Sequence, residues 1–154
     1  MDNFIVLYNP LAGNGTAQDK MRELESLMQG DRLYFSNMLD IRDYGAFFND
    51  MPDGASIIIC GGDGTLNRFL NDTEDIRPDC DIYYYPSGSG NDFVRSFPDC
   101  DFSDLEVQIT AEERPIDLIH FNNQWSANIC SAGLDSDVCK NMARYKRLQG
   151  YDVM

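Results

Sequence analysis

Phe4 to Tyr8 is an uninterrupted apolar run closed by Asn9-Pro10. A half-exposed strand would alternate apolar and polar positions, so this run predicts a strand buried on both faces. Past Gly13-Asn14-Gly15, the positions Ala17, Met21, Leu24 and Met28 recur at helical spacing. Thr16 and Asp19 stand as a capping pair at the start of that helix, and Gly30 is its stop signal. The same grammar then repeats. Leu33 to Ser36 reads as a second strand, and Ile41, Tyr44, Phe48 and Met51 as one face of a helix ended by Pro52. Ile57 to Cys60 is a third buried strand leading into Gly61-Gly62-Asp63-Gly64, followed by a helix carrying Leu66, Phe69 and Leu70. Ile82 to Tyr85 is a fourth strand entering Pro86-Ser87-Gly88-Ser89-Gly90, with a short helix over Asn91 to Phe97 behind it. This alternation predicts an α/β fold of three layers, a mostly parallel sheet covered on both faces through right-handed crossovers.

From about residue 112 the pattern changes. Pro115 to Phe121 alternates in strand fashion, Asn122-Asn123 supplies a turn, and Trp125 to Ser131 returns, predicting an antiparallel hairpin with His120 as a half-buried strand residue. A helix over Asp135 to Leu148 follows. The reading is therefore an α/β unit over 1–111 and the beginning of a second, β-rich unit over 112–154. The stop soon after a helix reads as truncation inside a larger protein, and the apolar face around Trp125 would pair with another copy as a homodimer or stay partly exposed.

Charge narrows the partners. With 12 basic and 26 acidic residues the formal net charge is −14, the wrong sign for a domain that neutralises phosphates on a duplex, so nucleic acid is excluded as a partner. The five cysteines are odd in number and form no C-x-x-C pair, which argues for a reduced cytoplasmic setting over a disulfide framework. The repeated Pro-Asp-Cys-Asp at 78–81 and 98–101 is turn chemistry. No apolar run approaches the roughly 18 residues of a membrane span. Lys140, Arg144, Lys146 and Arg147 place four of the twelve basic residues within eight positions; this is a solvated helix flank or a surface for transient contact with anionic lipid, peripheral to the membrane.

Three glycine-rich loops, at 9–16, 61–65 and 86–92, each follow a predicted parallel strand. All three therefore emerge at the carboxyl edge of the sheet, where ligands bind. Glycine lets the backbone approach a ligand closely, and amides at a helix start attract phosphate. Asp63, an acid set between glycines, needs a cation or several donors if it is buried, which makes it a candidate magnesium partner. Familiar alternatives fail on spacing. No Gly-Lys pair exists for a lysine-bearing phosphate loop, Gln18 stands where a dinucleotide fingerprint needs its third glycine, and neither Ser87 nor Ser89 is flanked as a hydrolase nucleophile. His120 and Asp117 would point to opposite faces of one strand, which argues against a local dyad.

Taken together, Asn9-Pro10-x-Ala12-Gly13, Gly61-Gly62-Asp63-Gly64-Thr65-Leu66-Asn67 and Pro86-Ser87-Gly88-Ser89-Gly90-Asn91-Asp92-Phe93 closely resemble the catalytic domain of diacylglycerol kinases and related bacterial lipid kinases, from residue 4 to about residue 147. The middle motif is shared with NAD kinases and phosphofructokinases; the third, with Asn-Asp-Phe, narrows the match. The resemblance implies an ATP- and magnesium-dependent transfer of the γ-phosphoryl group to a lipid hydroxyl. It implies nucleotide contacts from Asn9, Gly13, Ser36, Gly62, Asp63, Gly64, Thr65, Asn67 and Ser89, and metal contacts from Asp63, Asp92 and Asp117. It places the lipid groove and the general base beyond residue 154, so that this chain alone would bind nucleotide weakly, if at all, and would not phosphorylate lipid. An NAD-kinase-like enzyme is the alternative activity. Ser36 and Ser89 replace family threonines, Ser87 replaces a common leucine, and Arg68 stands where a glutamate is common, either to contact phosphate or to face solvent.

Overall fold

The computed structural model describes residues 1–12, 17–76, 78–88, 90–97 and 116–128. Strands β1 (Asn3–Tyr8), β2 (Arg32–Asn37), β3 (Ser56–Gly61) and β4 (Ile82–Pro86) alternate with helices α1 (Ala17–Leu27), α2 (Tyr44–Asn49), α3 (Asp63–Asp72) and α4 (Asp92–Arg95). The four strands form one parallel sheet in the order β2-β1-β3-β4. The order reverses between β1 and β3, which makes their carboxyl ends the switch point of the sheet. Tyr8 lies level with Asn37 on one side and Cys60 on the other, and Gly61 lies level with Pro86, so the loops leave along a single edge.

The continuous apolar runs serve two cores. Alternate side chains of a strand point to opposite faces. Phe4 and Val6 accordingly join Ile58, Cys60 and Tyr85 beneath Leu24 and Met28, while Ile5 and Leu7 join Ile57 and Ile59 against Met38, Tyr44, Leu66 and Phe69. Val6, Leu7, Ile57 and Ile58 are fully buried. The expected three-layer α/β fold is thus the observed one.

Local capping trims two of the expected elements. The Asp43 side chain accepts a hydrogen bond from Ala46 N at 3.0 Å, so α2 begins at Tyr44 and Ile41 packs from the preceding loop. Asn91 has φ 53° and cannot be helical, which leaves α4 one turn long.

Strands β5 (Ile119–Phe121) and β6 (Gln124–Ser126) form the antiparallel hairpin. Asn122 and Asn123 have φ of 50° and 59°, as a tight two-residue hairpin turn requires. Both strands are shorter than the sequence pattern suggested. His120 is exposed rather than half-buried, as is the whole of β5; its ring stacks on Trp125 with centroids 4.3 Å apart. The Thr16 cap, the unit boundary near 112, the helix over 135–148 and its four basic residues lie outside the described residues.

Candidate nucleotide site

The site is built where β1, β3 and β4 end. Asn9, almost wholly buried, closes the turn after β1 by accepting from Leu11 N at 3.0 Å, and its Nδ2 faces Thr65 Oγ1 at 3.5 Å. Thr65 in turn lies against Gly61, where an added Cβ would come within 2.4 Å of its side chain. The Asn9–Thr65 contact therefore joins the first loop to the second, and Gly61 gives Thr65 the room to make it. Helix α3 starts immediately afterwards with Gly62 as its N-cap, a residue with no side chain to cap the first amides.

The second and third loops meet backbone to backbone. A Cβ on Gly88 would fall 2.4 Å from the Gly62 Cα, so the two chains touch at a spot that tolerates no side chain. Asn91 holds the third loop in that position. Its Oδ1 accepts from Gly88 N at 3.0 Å while its Nδ2 donates to Gly88 O at 2.9 Å and Pro86 O at 3.4 Å. A left-handed backbone suits asparagine better than most residues, and the carboxamide here satisfies three loop groups at once. Sequence motifs included Asn91 in the third loop without giving it a task; its left-handed backbone, visible only in the fold, reveals one. Ser87 completes the junction: its N donates to Gly61 O at 2.9 Å, and its hydroxyl lies 3.5 Å from Cys60 Sγ. Burial pushes the Cys60 thiol pKa up, and the Ser87 hydroxyl beside it works in the opposite direction.

Asp63 is half-buried, at the start of α3. Its two carboxylate oxygens accept from Asp92 N at 3.0 Å and Phe93 N at 2.8 Å, so the acid is met by donors and caps α4 across the gap between loops. Phe93 anchors the far side by packing its ring on Tyr84 with centroids 5.7 Å apart. Burial first, and then the nearby Asp63 charge, raises the Tyr84 hydroxyl pKa well above the ordinary tyrosine range. Asp92 lies beside Asp63: both carboxylates come within 4 Å of the place a Gly90 Cβ would occupy, at 3.5 and 3.8 Å. Asp92 also accepts from Arg95 at 2.9 Å.

The structure thus brings together Asn9, Gly62, Asp63, Gly64, Thr65 and Asp92. Ser36 stands opposite Leu7 at the same edge but on β2, two strands away from β3. The Asn67 carboxamide is turned to the hairpin, accepting from Ala127 N at 2.9 Å. Arg68 pairs with Asp72 at 3.2 Å along α3. Asp117 is exposed just ahead of β5, and among the described residues no three His, Cys, Asp or Glu side chains lie close enough together to hold a metal. Gly13 and Ser89 lie outside the described residues.

A parallel sheet whose glycine loops gather at its carboxyl edge, one of them opening a helix, is a doubly wound α/β unit of the kind that takes its ligand at that edge. The narrower assignment follows from comparison: residues 3–121 match the diacylglycerol kinase catalytic domain, and the chain belongs to that family. A protein of Staphylococcus aureus (strain MRSA252), provisionally named a lipid kinase, is 30% identical over 111 residues, covering 69% of this chain and 33% of that protein. A YegS-like protein of Shewanella frigidimarina (strain NCIMB 400), also provisionally named a lipid kinase, is 34% identical over 91 residues, covering 53% of this chain and 28% of its own. The crystal structure of a diacylglycerol kinase from Bacillus anthracis shares the fold with a TM-score of 0.58 at 22% identity, over 92% of this chain and 52% of that one. The chain spans about a third of the length of the curated relatives it matches.

Proposed function

We propose that this chain is the nucleotide-holding part of an ATP- and magnesium-dependent lipid kinase that transfers the γ-phosphoryl group to a lipid hydroxyl. The observation that carries the reading is the meeting of the second and third loops at Gly62 and Gly88, beside the uncapped start of α3 and the Asp63 carboxylate. Phosphoryl transfer asks little covalent chemistry of a protein and depends on positioning and charge stabilisation. Backbone laid bare by glycine is suited to that task, because amides can reach phosphate oxygens with no side chain in the way.

Magnesium fits Asp63 and Asp92 and does not fit a three-acid cage. A carboxylate oxygen that accepts one amide keeps a further lone pair, and magnesium is ordinarily bound by one or two carboxylates plus substrate phosphates. When bound, the ion would neutralise charge developing on the transferred group. The chain's own residues do the remainder: Asp63 holds α4 against the second loop, Asn91 holds the third loop closed, and Asn9 ties the first loop to Thr65. The absence of a lysine-bearing phosphate loop agrees with a site in which backbone and metal, rather than a side-chain cation, meet the phosphates.

Kinase assays with ATP against diacylglycerol, a sphingoid base and NAD, on this chain and on any longer protein containing it, separate the readings. Phosphorylation of a lipid that is lost in Asp63→Asn supports the proposal. Phosphorylation of NAD alone would assign an NAD kinase, and nucleotide binding without transfer by the longer protein would assign a silent binding module.

A further inference from the structure

Strand β6 has β5 on one side and, on the other, a side chain. Asn71 Nδ2 donates to Trp125 O at 2.8 Å while Trp125 N donates to Asn71 Oδ1 at 2.8 Å. That reciprocal pair is what a residue of a neighbouring strand would supply through its own backbone. The second hydrogen of the amide points at Asn67 O, 2.6 Å from Asn71 Nδ2, which fixes its orientation. One turn earlier, Asn67 Oδ1 accepts from Ala127 N, and just beyond the end of α3, Glu74 accepts from the Trp125 indole N–H at 3.1 Å. These bonds join residues more than fifty positions apart in sequence. The hairpin is therefore seated on α3 by Asn67 and Asn71, which meet the backbone of Trp125 and Ala127, with Glu74 holding the indole.

The other end of α3 is the second glycine loop. Its first residue, Asp63, holds α4 and the third loop. Asp63 and Asn71 are eight positions apart on this ten-residue helix, a rigid separation of about 12 Å. A shift of α3 caused by an occupied loop would reach the clamp at Asn71, and by linkage any such coupling acts equally in the reverse direction.

We propose that Asn71 is a positioning residue that couples nucleotide occupancy of the glycine loops to the docking of the β5–β6 hairpin, with α3 as the connecting element. The inference rests on the nucleotide reading above. Asn71→Asp tests it: the shape and one acceptor are kept, while a carboxylate replaces the amide donor and confronts two carbonyl oxygens. Trp125 is the single tryptophan of the chain, so its fluorescence reports the hairpin alone.

In the wild-type protein, ATP with magnesium should reduce acrylamide quenching of Trp125. In Asn71→Asp, quenching should start higher and respond little to ATP. Calorimetric ATP affinity should fall five- to twentyfold, within the usual range of about 5–150-fold for coupled sites. Should Asn71→Asp fail to fold, Glu74→Ala at an exposed position is expected to move quenching and affinity in the same directions by a smaller factor. Equal ATP affinity in wild type and variant, or quenching of wild-type Trp125 indifferent to ATP that demonstrably binds, overturns the coupling and leaves the nucleotide reading standing. Absence of ATP binding both by this chain and by any longer protein containing it overturns the nucleotide reading and the coupling with it.

Discussion

The parallel sheet and the β5–β6 hairpin are held by opposite kinds of force. In the sheet, Val6, Leu7, Ile57 and Ile58 are entirely removed from water, and the two cores they serve fill both faces. In the hairpin, all three residues of β5 are exposed, Phe121 to 61%, and the attachment to α3 is made of hydrogen bonds from Asn67, Asn71 and Glu74. Burial is non-directional and strong, whereas a hydrogen bond is worth about 0.5–1.5 kcal/mol net but demands one geometry. The sheet is thus built to be stable and the hairpin contact to be specific. The loop junction lies between the two regimes, with backbone packed as tightly as a core and polar groups satisfied as in the hairpin.

The contrast breaks most severely if the core is hollowed. Ile58→Ala removes a fully buried side chain facing α1 and is expected to cost about 2–5 kcal/mol, read as a lower denaturant midpoint with sheet and hairpin signals lost together. Separate transitions would show that the hairpin does not depend on the sheet for its order.

At the junction, Asp63→Asn keeps the shape of the side chain but sets an amide NH₂ against the backbone N–H of Asp92 or Phe93. Loss of one charge-assisted bond is expected to lower stability by about 1.5–3 kcal/mol, and lipid phosphorylation by any longer protein containing this chain should be lost. Full activity with unchanged melting would refute both roles. Gly88→Ala presses a Cβ onto the Gly62 Cα and should weaken ATP binding at least tenfold by calorimetry while leaving the α1 core intact; unaltered affinity would mean that the two loops need not touch.

The hairpin can be sharpened instead of broken. Asn123→Gly relieves a left-handed backbone whose strain for ordinary residues is roughly 1–2 kcal/mol and less for asparagine, and it creates the favoured Asn-Gly turn. Slower amide exchange at Trp125 and a slight rise of the shared melting transition are expected; a transition that does not move would show that the hairpin opens independently of the sheet.

The smallest effect concerns Tyr44, which packs among Phe47, Phe48 and Phe69. Burial, with Asp72 adding to it, pushes its pKa from the ordinary 10.0 up to about 12. A raised folded pKa favours the neutral form in the fold, so its contribution is complete below pH 10 and is lost as pH rises through about 12. Its hydroxyl is buried without a hydrogen-bond partner among the described residues. Tyr44→Phe should therefore leave melting near pH 7 unchanged or slightly higher and flatten its decline above pH 10; an equally steep decline would assign alkaline sensitivity elsewhere.

Strand and helix order, the parallel sheet and the three loops were legible in the chain itself, because apolar runs of five residues and glycine clusters are local signals that burial and turn geometry leave in sequence. The hairpin turn at Asn122-Asn123 was legible for the same reason. What Asp63 touches was not: two amides from a segment 29 and 30 residues away supply the donors that a buried acid demands, and no local pattern says whether donors or a cation will meet it. Asn67 belongs to a glycine-loop motif by position, yet its carboxamide is spent on Ala127, sixty residues on. Asn91 and Asn71 carry no signal at all in isolation, since an asparagine acquires its task from whichever backbone the fold sets before it. Sequence determines which segments are buried and where the chain turns, through composition within a few residues; the tertiary structure decides the partners of polar side chains, because hydrogen bonds are directional and those partners are brought together only when distant segments pack.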